Sequence, residues 1–163
     1  MTASIPPDHP DANVDTDAAM DARIRASFAR QTLLHTMGAE LVAVRAGEVE
    51  IALPFRDDLT QQHGFVHAAV ITAIVDTACG YAALTLMPPE VEVLSVEFKM
   101  NFLAPAAGER FVAVGRVLRP GRTLTVCSGE VYALRGASRK LIGAMQATMI
   151  GASVVEPGPN SPA

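Results

Sequence analysis

Asp76 is the only charged side chain between Phe65 and Met87, in a stretch rich in Ala, Val, Ile and Leu. An ionised carboxylate removed from water without partners is costly, so such a group is normally paired, neutralised or held ready for chemistry. Just ahead of it, Gln61-Gln62-His63-Gly64-Phe65-Val66-His67-Ala68-Ala69 gathers amides, imidazoles and a glycine where the apolar run begins. His67 and Asp76 are the natural acid–base pair to test. On one helix, nine residues at 100° each place them on opposite sides and roughly 13 Å apart along the axis. They cannot share a site within one subunit. If both serve one reaction, two antiparallel copies of the helix must lie side by side, which a twofold homodimer supplies twice.

The elements that would position them follow from pattern. The run 65–87 is long enough for a six-turn helix, and a helix apolar on every side should be wrapped by protein. A membrane span is the competing reading of that run. His67, Asp76, Gly80 and the many alanines lower its hydrophobicity, and no Lys/Arg cluster flanks it, so no membrane is expected. Residues 18–37 are good helix formers, with Ile24 and Phe28 one turn apart and Gly38 placed to end the element. The weak periodicity there predicts a surface helix. Residues 40–44 and 48–53 are β-rich and form either a bent strand or a tight hairpin around 45–47.

After Pro88 and Pro89, four strands are predicted at 91–103, 111–118, 123–134 and 140–150. In the first, Leu94, Val96, Phe98, Met100 and Phe102 alternate with Ser95, Glu97, Lys99 and Asn101, which predicts one apolar and one polar face. Arg119-Pro120-Gly121-Arg122 suits a type II turn joining paired strands, and 136–138 makes the next turn. One buried helix wrapped by a meandering antiparallel sheet satisfies both signals, an α+β architecture.

Composition narrows the function. The 163 residues carry a net charge of −4 and are half apolar, which fits one domain with a sizeable core. The acidic balance argues against nucleic acid or an anionic membrane as partner. Cys79 and Cys127 show neither metal-ligand spacing nor a disulfide framework, which reads as buried thiols in a reducing cytoplasm. The four histidines, His9, His35, His63 and His67, lack partners at metal-binding spacing. Residues 1–17, with Pro6, Pro7 and Pro10, read as a disordered lead without the apolar core of a signal peptide, and 152–163 as a disordered tail. Between them lie an N-terminal helix at 18–38 and one domain at 39–151.

The block 61–69, Asp76 nine residues after His67, Leu94-Ser95-Val96-Glu97-Phe98 and Gly121-Arg122-Thr123-Leu124 together resemble the hotdog-fold acyl-CoA thioesterases of the phenylacetate-pathway (PaaI-like) type. The likeness runs from about residue 40 to 150 and rests on several blocks in order. It implies a hotdog fold with five to six strands and an acyl-CoA substrate. It further implies a dimer or dimer of dimers with the site at the subunit interface, and no metal or organic cofactor. The family's motif is His-Gly-Gly with an Asn six residues earlier. Here His67 matches, Gln61 holds the Asn position, and Ala68 and Ala69 replace the glycines, which narrows the thioester's approach.

By the resemblance, Asp76 acts as general base on water or as nucleophile, and the Ala68 N–H holds the oxyanion. Gln61 assists at the carbonyl, with Gln62 as its substitute, and Ser95 orients the water. Ser95 falls on the polar face of its strand, so a dimer partner or a local bulge must bring it to the site. Arg116, Arg119 and Arg122 gather around one turn that is similar to the family's region contacting the phosphates of coenzyme A, and the resemblance implies Arg119, Arg122 and Thr123 as substrate-binding residues. Phe65, Tyr81, Phe98 and Phe102 are candidates to line an acyl tunnel. The rival functions are a hotdog hydratase, which wants a close Asp/His pair at a helix start, and a non-catalytic acyl-CoA sensor.

Overall fold

The computed structural model describes residues 17–153. Apolar residues one turn apart give helix α1 (Asp17–Phe28) a buried stripe of Met20, Ile24 and Phe28. It is a surface helix, as its weak periodicity predicts: one residue per turn docks it and the other positions stay exposed or partly exposed. The single helix predicted at 18–37 is, however, two. The chain resumes as α2 (Thr32–Met37) because Gln31 leaves helical geometry, at φ −80° and ψ 93°, and its Nε2 donates to the Tyr81 hydroxyl at 2.9 Å. Gly38 ends α2 at φ 74°, where its spacing puts it. The expected disordered lead and tail fall mostly outside the described residues, which leave out 1–16 and 154–163.

The remaining elements are β1 (Glu40–Arg45), β2 (Glu48–Pro54), α3 (Ala68–Leu84), β3 (Val91–Phe102), β4 (Arg110–Arg119), β5 (Leu124–Arg135) and β6 (Ser138–Ser153). β6 thus runs past the domain boundary placed at 151. The strands form one antiparallel sheet in the order β1-β2-β4-β5-β6-β3, with α3 against one face, the α+β hotdog arrangement. β1 and β2 are a tight hairpin, with Arg45 opposite Glu48 and Gly47 at φ 75°. The sheet is not a simple meander. Having crossed the sheet on α3, the chain enters β3 at the outer edge beside β6, and β4 then returns to the centre beside β2.

The turn at Pro120-Gly121 is not type II either. Positive φ occurs among the described residues only at Gly38, Gly47, Gly64 and Gly136, so Gly121 serves space rather than φ: a Cβ there would lie 2.2 Å from the Leu124 carbonyl oxygen.

Helix α3 is shorter than its apolar run, at 17 residues. Its β-branched residues are modest helix formers, so packing rather than propensity holds it. Ile71, Ile74, Val75, Ala78 and Cys79 are buried at or near zero exposure. Arg23 of α1 secures the far end, donating to the carbonyls of Leu84 (2.9 Å), Met87 (3.1 Å) and Pro88 (3.0 Å). Two glycines allow the helix to lie this close. A Cβ on Gly115 of β4 would sit 2.3 Å from the Ala78 carbonyl carbon, and one on Gly129 of β5 would sit 2.4 Å from Val75. Gly115→Ala must push backbone apart, so its predicted cost is about 3 kcal/mol, at the upper end of overpacking effects. Urea denaturation measures it, and a change below ~0.5 kcal/mol would contradict this packing account.

Candidate active site

The loop before α3 is tied down by backbone hydrogen bonds. His67 N–H donates to the Leu59 carbonyl at 2.9 Å, Val66 N–H to Ala106 at 3.2 Å, and Gln61 N–H to Phe65 at 2.9 Å. His67 is the N-cap of α3: its Nδ1 accepts from the Ala69 N–H at 3.0 Å, and its carbonyl accepts from Val70 and Ile71. Each donor of the first turn is therefore used except one. Among the described residues the Ala68 N–H has no partner, and it stands at the positive end of the helix dipole. His67 is engaged in positioning that turn.

The Gln61 side chain lies beside it. Its Oε1 accepts from the His63 N–H, an assignment the donor forces, which leaves the Nε2 hydrogens without a partner among the described residues. Gln61 and Ala68 both line an apolar cavity of about 270 Å³, with Phe65, Phe102, Ile71 and Ile142 among its walls. Gln62 and Ala69 are exposed and do not line it.

Asp76 lies two turns further along α3, half-buried. Its Oδ1 accepts from Ser95 Oγ at 2.8 Å, and no ion-pair partner faces it among the described residues. Burial pushes the Asp76 carboxyl above the usual carboxylate range, and the Ser95 hydroxyl, which favours the ionised form, offsets part of that rise. A bulge brings Ser95 there. β3 pairs Ser95 with Met149 and Glu97 with Thr148, so Val96 is inserted and the alternation slips by one. Val91 and Val93, Ser95 and then Met100 and Phe102 thereby all serve the helix side, which corrects the prediction of one unbroken apolar face.

Other candidates fall elsewhere. Tyr81 is buried and holds α1 and α2 through Gln31 and Ser27 rather than lining the cavity, and Phe98 is exposed outside it. Arg116 is engaged with Glu48 at 2.7 Å and Glu130 at 3.1 Å. Arg119, Arg122 and Thr123 are exposed near the end of the sheet where Leu124 pairs with Ile150, whereas the cavity lies where Phe102 and Val131 meet Gly143. Seven residues of β5 separate those ends, roughly 23 Å. One chain therefore joins Gln61, Ala68 and Phe65 in one cluster and Asp76 with Ser95 in another, and leaves the arginines apart from the cavity.

Against known proteins, residues 63–139 match the model of the Thioesterase superfamily. A thioesterase family protein from Silicibacter pomeroyi is 46% identical, with a TM-score of 0.81 over 83% of this chain and 99% of that one. The chain belongs to the thioesterase superfamily. The PaaI protein of the E. coli phenylacetic acid degradation operon shares the fold, at a TM-score of 0.76 and 15% identity over 85% of this chain and 97% of that one. A Saccharolobus solfataricus protein provisionally named an esterase is 29% identical over 58% of this chain and 66% of its own length. The chain spans about two thirds of that relative.

In this superfamily member the Asp76 environment predicts a cost in stability. A carboxyl whose folded pKa is raised binds its proton more tightly when folded. Stability is therefore full in acid, below the unfolded value, and declines as pH rises through the folded one. Asp76→Asn is expected to raise Tm at pH 8 and to lose that advantage in acid below the ordinary carboxylate range. An equal Tm difference at both pH values, in thermal melts, would contradict it.

Proposed function

We propose that this protein hydrolyses acyl-CoA thioesters to a free acid and coenzyme A, with Asp76 as general base. The observation that carries the reading is the half-buried Asp76 carboxylate, held by one Ser95 hydroxyl and neutralised by no cation among the described residues. Such a group is basic for a carboxylate and oriented. Asp76 takes a proton from water as the water oxygen bonds to the thioester carbonyl carbon. The carbonyl oxygen, now negative, is held by the Ala68 N–H and Gln61 Nε2 of the facing subunit. The intermediate collapses by breaking the C–S bond, and the thiolate leaves without prior protonation, later taking up the proton Asp76 gained. Water, one base and an oxyanion hole suffice for this ester.

A dimer is part of the proposal. The separation of the two clusters in one chain supports it, and so does the outer edge of the sheet. On β3, Leu94, Val96, Phe98 and Phe102 are 58%, 52%, 44% and 52% exposed beside a strand edge that has no partner among the described residues. An apolar open edge of this length calls for a partner strand, and a second copy related by a twofold axis would bring α3 of each chain alongside the other. Arg119, Arg122 and Thr123 would then serve the phosphates of a substrate bound partly by the neighbouring chain. We place the enzyme in the cytoplasm, where acyl-CoA is available and the free thiols Cys79 and Cys127 stay reduced.

Release of free thiol from short, medium, long and aromatic acyl-CoAs tests the activity. The wild type is expected to turn over, and Asp76→Ala to lose at least about 10³-fold in kcat with binding retained, in line with loss of an essential proton-transfer group. Binding without thiol release, or full activity in Asp76→Ala, would sink the hydrolase reading. Mixing Gln61→Ala chains with Asp76→Ala chains should restore activity toward one quarter of wild type, because half the dimers are mixed and each holds one intact site. No recovery would argue against a shared site.

A further inference from the structure

We propose that Ile142 sets the depth of the acyl site and restricts it to medium-sized, uncharged acyl groups. This rests on the hydrolase reading and specifies its substrate. The lining of the cavity runs from buried to exposed: Ile71, Val66 and Ile142 are 1%, 3% and 1% exposed, whereas Phe102 is 52% exposed and Ala68 is exposed with it. Apart from Gln61 the lining is apolar, so an acyl group carrying a charge would lose its hydration without a partner.

Ile142 reaches this position through an irregularity in pairing. β5 and β6 are in register at Val131 with Gly143 and at Tyr132 with Leu141, so Ile142 is the extra residue of a bulge in β6. The same residue fixes the wall: its carbonyl accepts from the N–H of Leu103 at 2.9 Å and of Ala104 at 3.4 Å. Removing atoms from its side chain deepens the cavity and leaves those backbone bonds in place. The size of the occupant follows from volume. An apolar cavity of roughly 150 Å³ holds benzene, about 25 Å³ per carbon, so the present 270 Å³ admits about ten carbons, as a chain or a phenyl-terminated acyl group.

The test is kcat/KM for thiol release across straight-chain acyl-CoAs from C2 to C18, with phenylacetyl-CoA included. The wild type is expected to peak between C6 and C10, with C16 at least tenfold below the peak. Ile142→Ala should move the peak at least two carbons longer, and Ile142→Val should raise the C12:C8 ratio in the same direction with less risk to folding. Leu141→Ala, on the exposed neighbour facing away from the cavity, should leave the profile unchanged. A wild-type peak at C2 or C16, or the same profile in wild type and Ile142→Val, would overturn this proposal alone. Absence of thiol release from every acyl-CoA by wild type would instead overturn the hydrolase reading beneath it.

Discussion

Helix α3 lies against β4 and β5 at a distance that only glycine permits, and most of the molecule's chemistry depends on that contact. Gly115 meets the Ala78–Cys79 backbone and Gly129 meets Val75 and Cys79, so the side of the helix that touches the sheet has no room for a larger residue there. From Ala78 to Leu84 every residue is buried. Asp76 stands just before that buried stretch, where α3 still retains some solvent access. Partial burial there raises the Asp76 pKa above the ordinary carboxylate value, and the remaining access leaves the carboxyl open to solvent.

The polar groups are set by local exceptions to regular structure. The β3 bulge turns Ser95 toward Asp76, the β6 bulge inserts Ile142 into the cavity wall, and the His67 cap uses the Ala69 N–H while that of Ala68 has no partner among the described residues. Each exception breaks a pairing or propensity rule at a place where an atom must be aimed. The face of the sheet away from α3 is different in kind. There Arg116 links Glu48 and Glu130 across three strands, Tyr132 donates to Glu130, and Arg139 sits 3.8 Å over the Tyr132 ring. Those charges are partly solvated and contribute modestly to stability.

Much of this was legible in the chain. Sequence pattern and turn residues marked the four C-terminal strands to within two or three residues, most directly in β5, where burial alternates along the strand. Asp76 announced itself by its isolation. What stayed hidden depends on pairing between distant residues. The break between α1 and α2 turns on Gln31 reaching Tyr81, fifty residues away. The place of β3 at the sheet's edge follows from where α3 delivers the chain, and no property of β3 itself reports it. A bulge is a mismatch between two strands, so the sequence of β3 alone could raise it for Ser95 only as a condition. Arginines 116, 119 and 122 looked equivalent in a row, yet among the described residues Arg116 alone of the three is paired with carboxylates on neighbouring strands.

In the proposed mechanism a half-buried Asp76, steadied by Ser95, is the base that governs thioester hydrolysis. The pH dependence of kcat/KM for an acyl-CoA, measured for wild type and Ser95→Ala, reads it most directly. The wild type is expected to show an acid limb above the ordinary carboxylate range. In Ser95→Ala that limb should move to higher pH, since the lost hydroxyl favours the ionised carboxylate. An acid limb that stays fixed, or moves to lower pH, in Ser95→Ala would contradict it.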